Sequence, residues 1–160
     1  SSFSQKLPAS SEVLPSFDLL FFMDTGDTVN QLGHFRNERP QEFEQHPRKV
    51  VIDHHKSNSG YGNLNFINAE ASSACEYLTN LILAWEKTDT HRPEISSKVT
   101  PQIASYLLLG ISTDTGNFMY ERDSKNTFEA ASSLLQLGAD KENIVTNMYR
   151  KNSLKKLQFL

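Results

Sequence analysis

Two histidines stand side by side at positions 54 and 55, directly after Asp53, and the stretch Val51-Ile52-Asp53-His54-His55 puts all three where an apolar run turns polar. Asp24-Thr25-Gly26-Asp27 repeats that change of character. Gly110-Ile111-Ser112-Thr113-Asp114-Thr115-Gly116-Asn117-Phe118 sets a further aspartate among small hydroxyl and glycine residues. Asp24, His54 and Asp114 together offer two carboxylates and one imidazole without a thiolate, an oxygen-rich donor set that suits manganese or magnesium better than structural zinc. Hydrolysis of a phosphate ester uses that hardness: a pair of such ions roughly 3.5–4 Å apart clamps the phosphate, lowers the pKa of a bridging water and stabilises the leaving oxygen. An Asp-Thr-Gly after a strand is also an ordinary turn whose carboxylate bonds its own backbone, a role open to Asp24 and to Asp27. His34, His46 and His91 lie in polar surroundings and read as surface residues. Ser72 and Ser73 precede an apolar periodic stretch, where they cap a helix; the free N–H groups of such a helix start could equally hold a phosphate.

These side chains need elements to carry them. Asp18-Leu19-Leu20-Phe21-Phe22-Met23 predicts a strand buried on both faces that stops at Asp24, and Lys49-Val50-Val51-Ile52 predicts another that stops at Asp53. Both would deliver acids at their C-terminal ends, the edge of an open α/β sheet where ligands sit. Leu64-Asn65-Phe66-Ile67 reads as a third short strand. A helix follows from Ser72, with the capping-box spacing of Ser73 to Glu76 and a buried stripe of Ala74, Tyr77, Leu78, Leu81, Ile82 and Trp85. Thr88 to Ser97 reads as a surface loop. Thr100-Pro101 opens a helix through Ile103, Leu107 and Leu108 toward Gly110. Ser124 caps one through Phe128, Ala131, Leu134 and Leu135 to Gly138, and Asp140 starts a last one through Ile144, Val145 and Met148. The expected fold class is α/β, a mostly parallel sheet flanked by helices.

A chain of 160 residues suits one domain, and its apolar runs are too short to cross a bilayer. Ser1 to Ser11 lack the basic start and apolar stretch of a secretory signal and read as a loop or a cut end. Cys75 is the single cysteine, a small core residue on a helix face, which excludes an internal disulfide and makes a reducing cytoplasm the simplest compartment. The net charge of −3 and pI near 5.9 argue against a grip on long duplex nucleic acid, which usually needs a basic stripe. A short anionic substrate stays compatible, because bound divalent ions reverse the local field whatever the surface balance.

Taken together these residues resemble the DHH phosphoesterase family, closest to its nanoRNase and pAp-phosphatase branch, from about Leu19 to Tyr149. The three motifs around Asp24, His54 and Asp114 come in the family's order, and Ala69-Glu70-Ala71-Ser72-Ser73-Ala74-Cys75-Glu76 resembles the segment between the last two. The resemblance implies that Asp24 bridges two manganese ions, with magnesium as a substitute, and that His54 and Asp114 complete one of the two sites. It implies that His55 faces the scissile phosphate, that Asp53 orients a histidine through its other ring nitrogen, and that Thr115 and Gly116 shape the loop of Asp114. The implied activity is hydrolysis of short oligonucleotides or nucleotides such as pAp. Rivals are a cyclic dinucleotide phosphodiesterase, a RecJ-like single-strand exonuclease and, from another class, a non-catalytic metal-stabilised binding module; a homodimer is compatible with each. The departures lie at the two ends. Family members carry a His-x-x-Pro-Asp-x-Asp-like motif upstream of Asp24, whereas residues 1 to 23 hold no histidine and only Glu12 and Asp18 as acids. Family members also carry a second, substrate-binding domain. The expectation is therefore an internal piece of a longer protein, with residues 1–150 as an incomplete catalytic domain and 151–160 as the start of a linker helix.

Overall fold

A computed structural model describes residues 17–88, 99–120 and 125–150. The loop expected at 88–97, the cap at Ser124 and the linker at 151–160 lie largely or wholly outside these residues.

Among the described residues the sheet has three strands, all parallel and in chain order: β1 (Leu20–Met23), β2 (Lys49–Asp53) and β3 (Leu64–Ile67). Register pairs Met23 with Ile52, and Asp53 with Ile67, so the residues after β1 and β2 emerge side by side at one sheet edge. Every residue of β2 is buried, as its unbroken apolar run requires of a central strand. Even Lys49 is inside, where its Nζ donates to the carbonyls of Phe43 (2.7 Å) and Glu44 (3.3 Å) and closes the end of a short helix.

β1 differs from expectation. Phe22 is buried, but Phe21 and Met23 are 59% and 40% exposed, because β1 is an outer strand with one covered face. That covered face meets helices α1 (Gly33–Glu38) and α2 (Pro40–Gln45) through an aromatic cluster of Phe22, Phe35, Phe43 and Tyr61, with ring centroids 5.4–6.4 Å apart.

The remaining elements of the described chain are helical: α3 (Ala74–Thr88), α4 (Pro101–Asp114), α5 (Lys125–Gln136) and α6 (Lys141–Val145), followed by a π-helical turn over Thr146–Arg150. Ala104, Leu107, Leu108, Ile111, Ala130, Ala131, Leu134 and Ile144 form a second core among them. Thr100 caps α4 by accepting from the Ile103 N–H, Asp140 caps α6 through Asn143, and Ser73 Oγ accepts from the Glu76 N–H at the start of α3. The stripe of α3 is narrower than its spacing suggests. Ala74 is buried and Leu78 and Ile82 pack on the core, but Trp85 is 58% exposed, and the deepest positions include Glu76 and Thr79. Glu76 is inside because Ser72 N–H, Ser72 Oγ and Thr127 Oγ1 all donate to its Oε2, at 2.6–2.9 Å, tying α3 to α5. On α5, Phe128 and Leu135 are likewise more exposed than expected. Among the described residues no helix is long and apolar enough to cross a membrane.

Candidate metal centre

The site sits where the sheet ends. Asp24 N–H makes the last bond of the β1–β2 ladder, to the Ile52 carbonyl at 3.0 Å, and Asp24 then turns into the left-handed region at φ 55°. Few non-glycine residues go there without compensation. Here the turn swings the carboxylate toward the histidines: Asp24 Oδ1 lies 3.3 Å from His54 Nε2 and 3.7 Å from His55 Nδ1. Gly26 must be glycine for a different reason, since a β-carbon there would lie 2.5 Å from His55 Cβ. Asp114, the last residue of α4, brings its Oδ2 to 3.5 Å from the same His54 Nε2.

The tautomer of His54 follows from its other nitrogen. Nδ1 is 3.3 Å from the Ala71 carbonyl, which can only accept, so Nδ1 carries a hydrogen. In neutral His54 the Nε2 lone pair then faces two carboxylate oxygens. Two carboxylate oxygens thus stand within 3.5 Å of one imidazole nitrogen, a donor set that could hold a divalent cation. Burial, and after it the Asp24 charge, push the Asp114 carboxyl above its ordinary value, the repulsion that a cation would remove.

Asp53 plays another part. Together with Asp24, His54 and His55 it forms a compact group whose donor atoms lie within 4.8 Å of one another. Its carboxylate, however, is wholly buried and already engaged: Oδ1 accepts from His54 N–H (2.7 Å), His55 N–H (3.3 Å) and His55 Nδ1 (2.7 Å), and Oδ2 from Asn58 Nδ2 (2.6 Å). Burial alone would raise its pKa, yet the bonds from Asn58, His55 and the His54 and His55 amides hold it below the ordinary value. In turn the hydrogen bond to Asp53 raises the pKa of His55. Asp24, His54 and Asp114 could hold an ion between them, while Asp53 is committed to His55 and to the amides of both histidines.

Thr115 and Gly116 form the turn that ends α4. Buried Thr115 donates through Oγ1 to the Ile111 carbonyl at 2.7 Å and accepts from the Phe118 N–H at 2.9 Å. Gly116, Asn117 and Phe118 are all left-handed (φ 57°, 61° and 63°), and a β-carbon on Gly116 would run into the Tyr120 ring at 2.5 Å. The hydroxyls of Ser72 and Ser73 are taken up by Glu76 and by the helix start. Asp27 is a plain turn residue, accepting from the Val29 and Asn30 amides. His46 bonds the Phe17 and Arg48 carbonyls and His34 faces Glu38. Sequence reasoning missed Asn58, Gly26 and the Ala71 carbonyl; only the Gly of Asp24-Thr25-Gly26 left a trace that could have been read as a close approach.

Residues 2–111 match the family model described as the DHH family, N-terminal domain. The chain belongs to the DHH family. Asp24, Asp53, His54 and His55 fall inside that match, and Asp114 lies just past its end. A probable bifunctional oligoribonuclease and PAP phosphatase NrnA of Streptococcus mutans is 35% identical over 57% of this chain and 26% of its own length. The bifunctional oligoribonuclease and PAP phosphatase NrnA of Bacillus subtilis is 24% identical over 84% of this chain and 44% of its own. The cyclic-di-AMP phosphodiesterase PdeA of Listeria monocytogenes is 35% identical over 68% of this chain and 17% of its own. The chain thus spans less than half the length of these DHH relatives. A crystal structure of an exopolyphosphatase-related protein from Bacteroides fragilis shares the fold, with a TM-score of 0.70 over 88% of this chain and 38% of that one, at 23% identity.

Proposed function

We propose that this DHH chain is the metal-binding part of a phosphoesterase that hydrolyses short oligonucleotides or nucleotides, nanoRNA and pAp among them. The observation that carries the reading is the convergence of Asp24 Oδ1 and Asp114 Oδ2 on His54 Nε2, at 3.3 and 3.5 Å. Manganese fits this oxygen-rich set, and magnesium is the alternative. When bound, a divalent cation supplies positive charge against which a phosphate ester is held and polarised. A second ion on Asp24 would need further ligands, and residues 1 to 23 offer only Glu12 and Asp18 as acids.

The chain's own residues do the rest. Asp24 and Asp114 provide the charge, and Ala71 holds His54 in the tautomer that leaves Nε2 as a donor of electrons. His55, gripped at Nδ1 by Asp53, keeps its proton to higher pH than an ordinary histidine and presents Nε2–H to a phosphate oxygen. The left-handed turn at Gly116 keeps the end of α4 aimed at the sheet edge.

The relatives named for oligoribonuclease and PAP phosphatase activity favour linear substrates, and the similarity to the cyclic-di-AMP phosphodiesterase supports a second reading, a cyclic dinucleotide. The test is hydrolysis of pApA, pAp and cyclic di-AMP by this chain with Mn2+, with chelator and His54→Ala as controls. Turnover of pApA or pAp that disappears in both controls is expected. Turnover of cyclic di-AMP alone would favour the second reading, and a rate unchanged in His54→Ala would overturn the site.

A further inference from the structure

Between the two loops that carry Asp24 and His54 lies one amide side chain that touches both. Asn58 closes a turn through its N–H to the His55 carbonyl (3.2 Å), which carries its side chain back to the sheet edge. There Nδ2 donates one hydrogen to Asp53 Oδ2 at 2.6 Å and the other to the Thr25 carbonyl at 3.1 Å, while Oδ1 accepts from the Gly60 N–H at 2.9 Å. The backbone ladder between β1 and β2 ends with Asp24 N–H on Ile52; Asn58 adds a further rung made by a side chain. Its bond to Asp53 sets the carboxylate that holds both histidine amides and the His55 ring. Its bond to Thr25 fixes the Thr25–Gly26 peptide, one residue beyond Asp24, the residue held at φ 55°.

We propose that Asn58 is a positioning residue for the metal centre: its amide clamps the Asp24 loop to the Asp53-His54-His55 loop and sets the spacing of the ion's ligands. The inference rests on the reading of Asp24, His54 and Asp114 as ligands. The residue type is demanded by the geometry, because an amide nitrogen alone among short side chains offers two hydrogens from one atom. Aspartate would set a second carboxylate against Asp53, and serine has a single hydrogen to give. Tyr61 separates this role from simple anchoring, since its hydroxyl also donates to the Thr25 carbonyl, at 3.3 Å, but reaches no residue of the second loop by a hydrogen bond.

Mn2+ binding to the full chain, measured by titration calorimetry and by the manganese electron-spin signal, tests the clamp without recourse to activity. Asn58→Ala and the milder Asn58→Ser are expected to weaken Mn2+ binding by about 10–100-fold, the usual effect of losing a partner behind the ligands. Tyr61→Phe should stay within about threefold of the parent, and His54→Ala should lose the site. Circular dichroism of the metal-free variants identifies any that fail to fold, in which case the serine variant decides. Parent-like Mn2+ affinity in both Asn58 variants, with binding lost in His54→Ala, overturns the clamp and leaves the metal centre standing. Parent-like affinity in His54→Ala overturns the metal centre and the clamp together.

Discussion

A carboxylate without solvent is unstable unless donors reach both its oxygens, and Asp53 meets that condition with four. The consequence is a pH window. In the metal-free chain the lowered pKa of Asp53 contributes stability that is complete above its ordinary value of 3.8 and is lost as pH falls through the lower folded value. The raised pKa of His55 works in the other direction, with stability complete below its ordinary value of 6.5 and lost as pH rises through the higher folded value. Urea midpoints of the metal-free chain should therefore be highest between the two and fall on either side. His55→Gln should flatten the alkaline side, and Asp53→Asn should flatten both. Parent-like slopes in Asp53→Asn would show that the pair does not control this window. The proximity of Asp24, His54 and Asp114 was legible in the sequence because each motif sets its acid or histidine where an element ends. Asn58 and the Ala71 carbonyl were not, since one acts through a turn and the other through a backbone atom that every residue possesses.

Helices α3 and α4 cross where Gly110 meets Cys75, close enough that a β-carbon on Gly110 would stand 2.2 Å from Sγ and 3.0 Å from Cβ. The glycine allows the approach that carries Asp114, four residues further on, toward the sheet. Burial pushes the Cys75 thiol up, in keeping with a packing role. Gly110→Ala is expected to destabilise by about 1–3 kcal/mol through overpacking. Adding Cys75→Ala should recover part of that loss, with a coupling of about 1 kcal/mol in a double-mutant cycle. Strict additivity in urea unfolding would sink the contact as the cause. The helix was expected to run toward Gly110 and to be ending around Asp114, and α4 ends at Asp114. β2 and β3 were legible almost to the residue. Trp85 was not, because helical spacing says which residues share a stripe but not which part of that stripe another element covers.

For the molecule as a whole, the sheet has one face under α1 and α2 and another on which Phe21, Met23, Leu64 and Phe66 are 38–59% exposed. The continuous apolar runs announced strands covered on both sides, whereas among the described residues β2 alone is buried throughout. The match covers 26% and 44% of the length of the two oligoribonuclease and PAP phosphatase relatives. Parallel order and the place of the site at the strand ends followed from the two apolar runs that each stop at an acid. The register itself, Met23 against Ile52, did not, because parallel partners have no shared turn to set it. That same pairing has a consequence in time. Residues 24, 54 and 114 come together only when separate stretches of chain have found one another, so no early, local piece of structure holds all three. On the proposed metal reading, an ion arriving during folding would have nothing complete to enter. Added Mn2+ should therefore slow unfolding in stopped-flow urea jumps while leaving the refolding rate nearly unchanged, the pattern of an interaction absent from the transition state. Faster refolding with Mn2+ would mean that the strand ends meet first and the helices close over them afterwards.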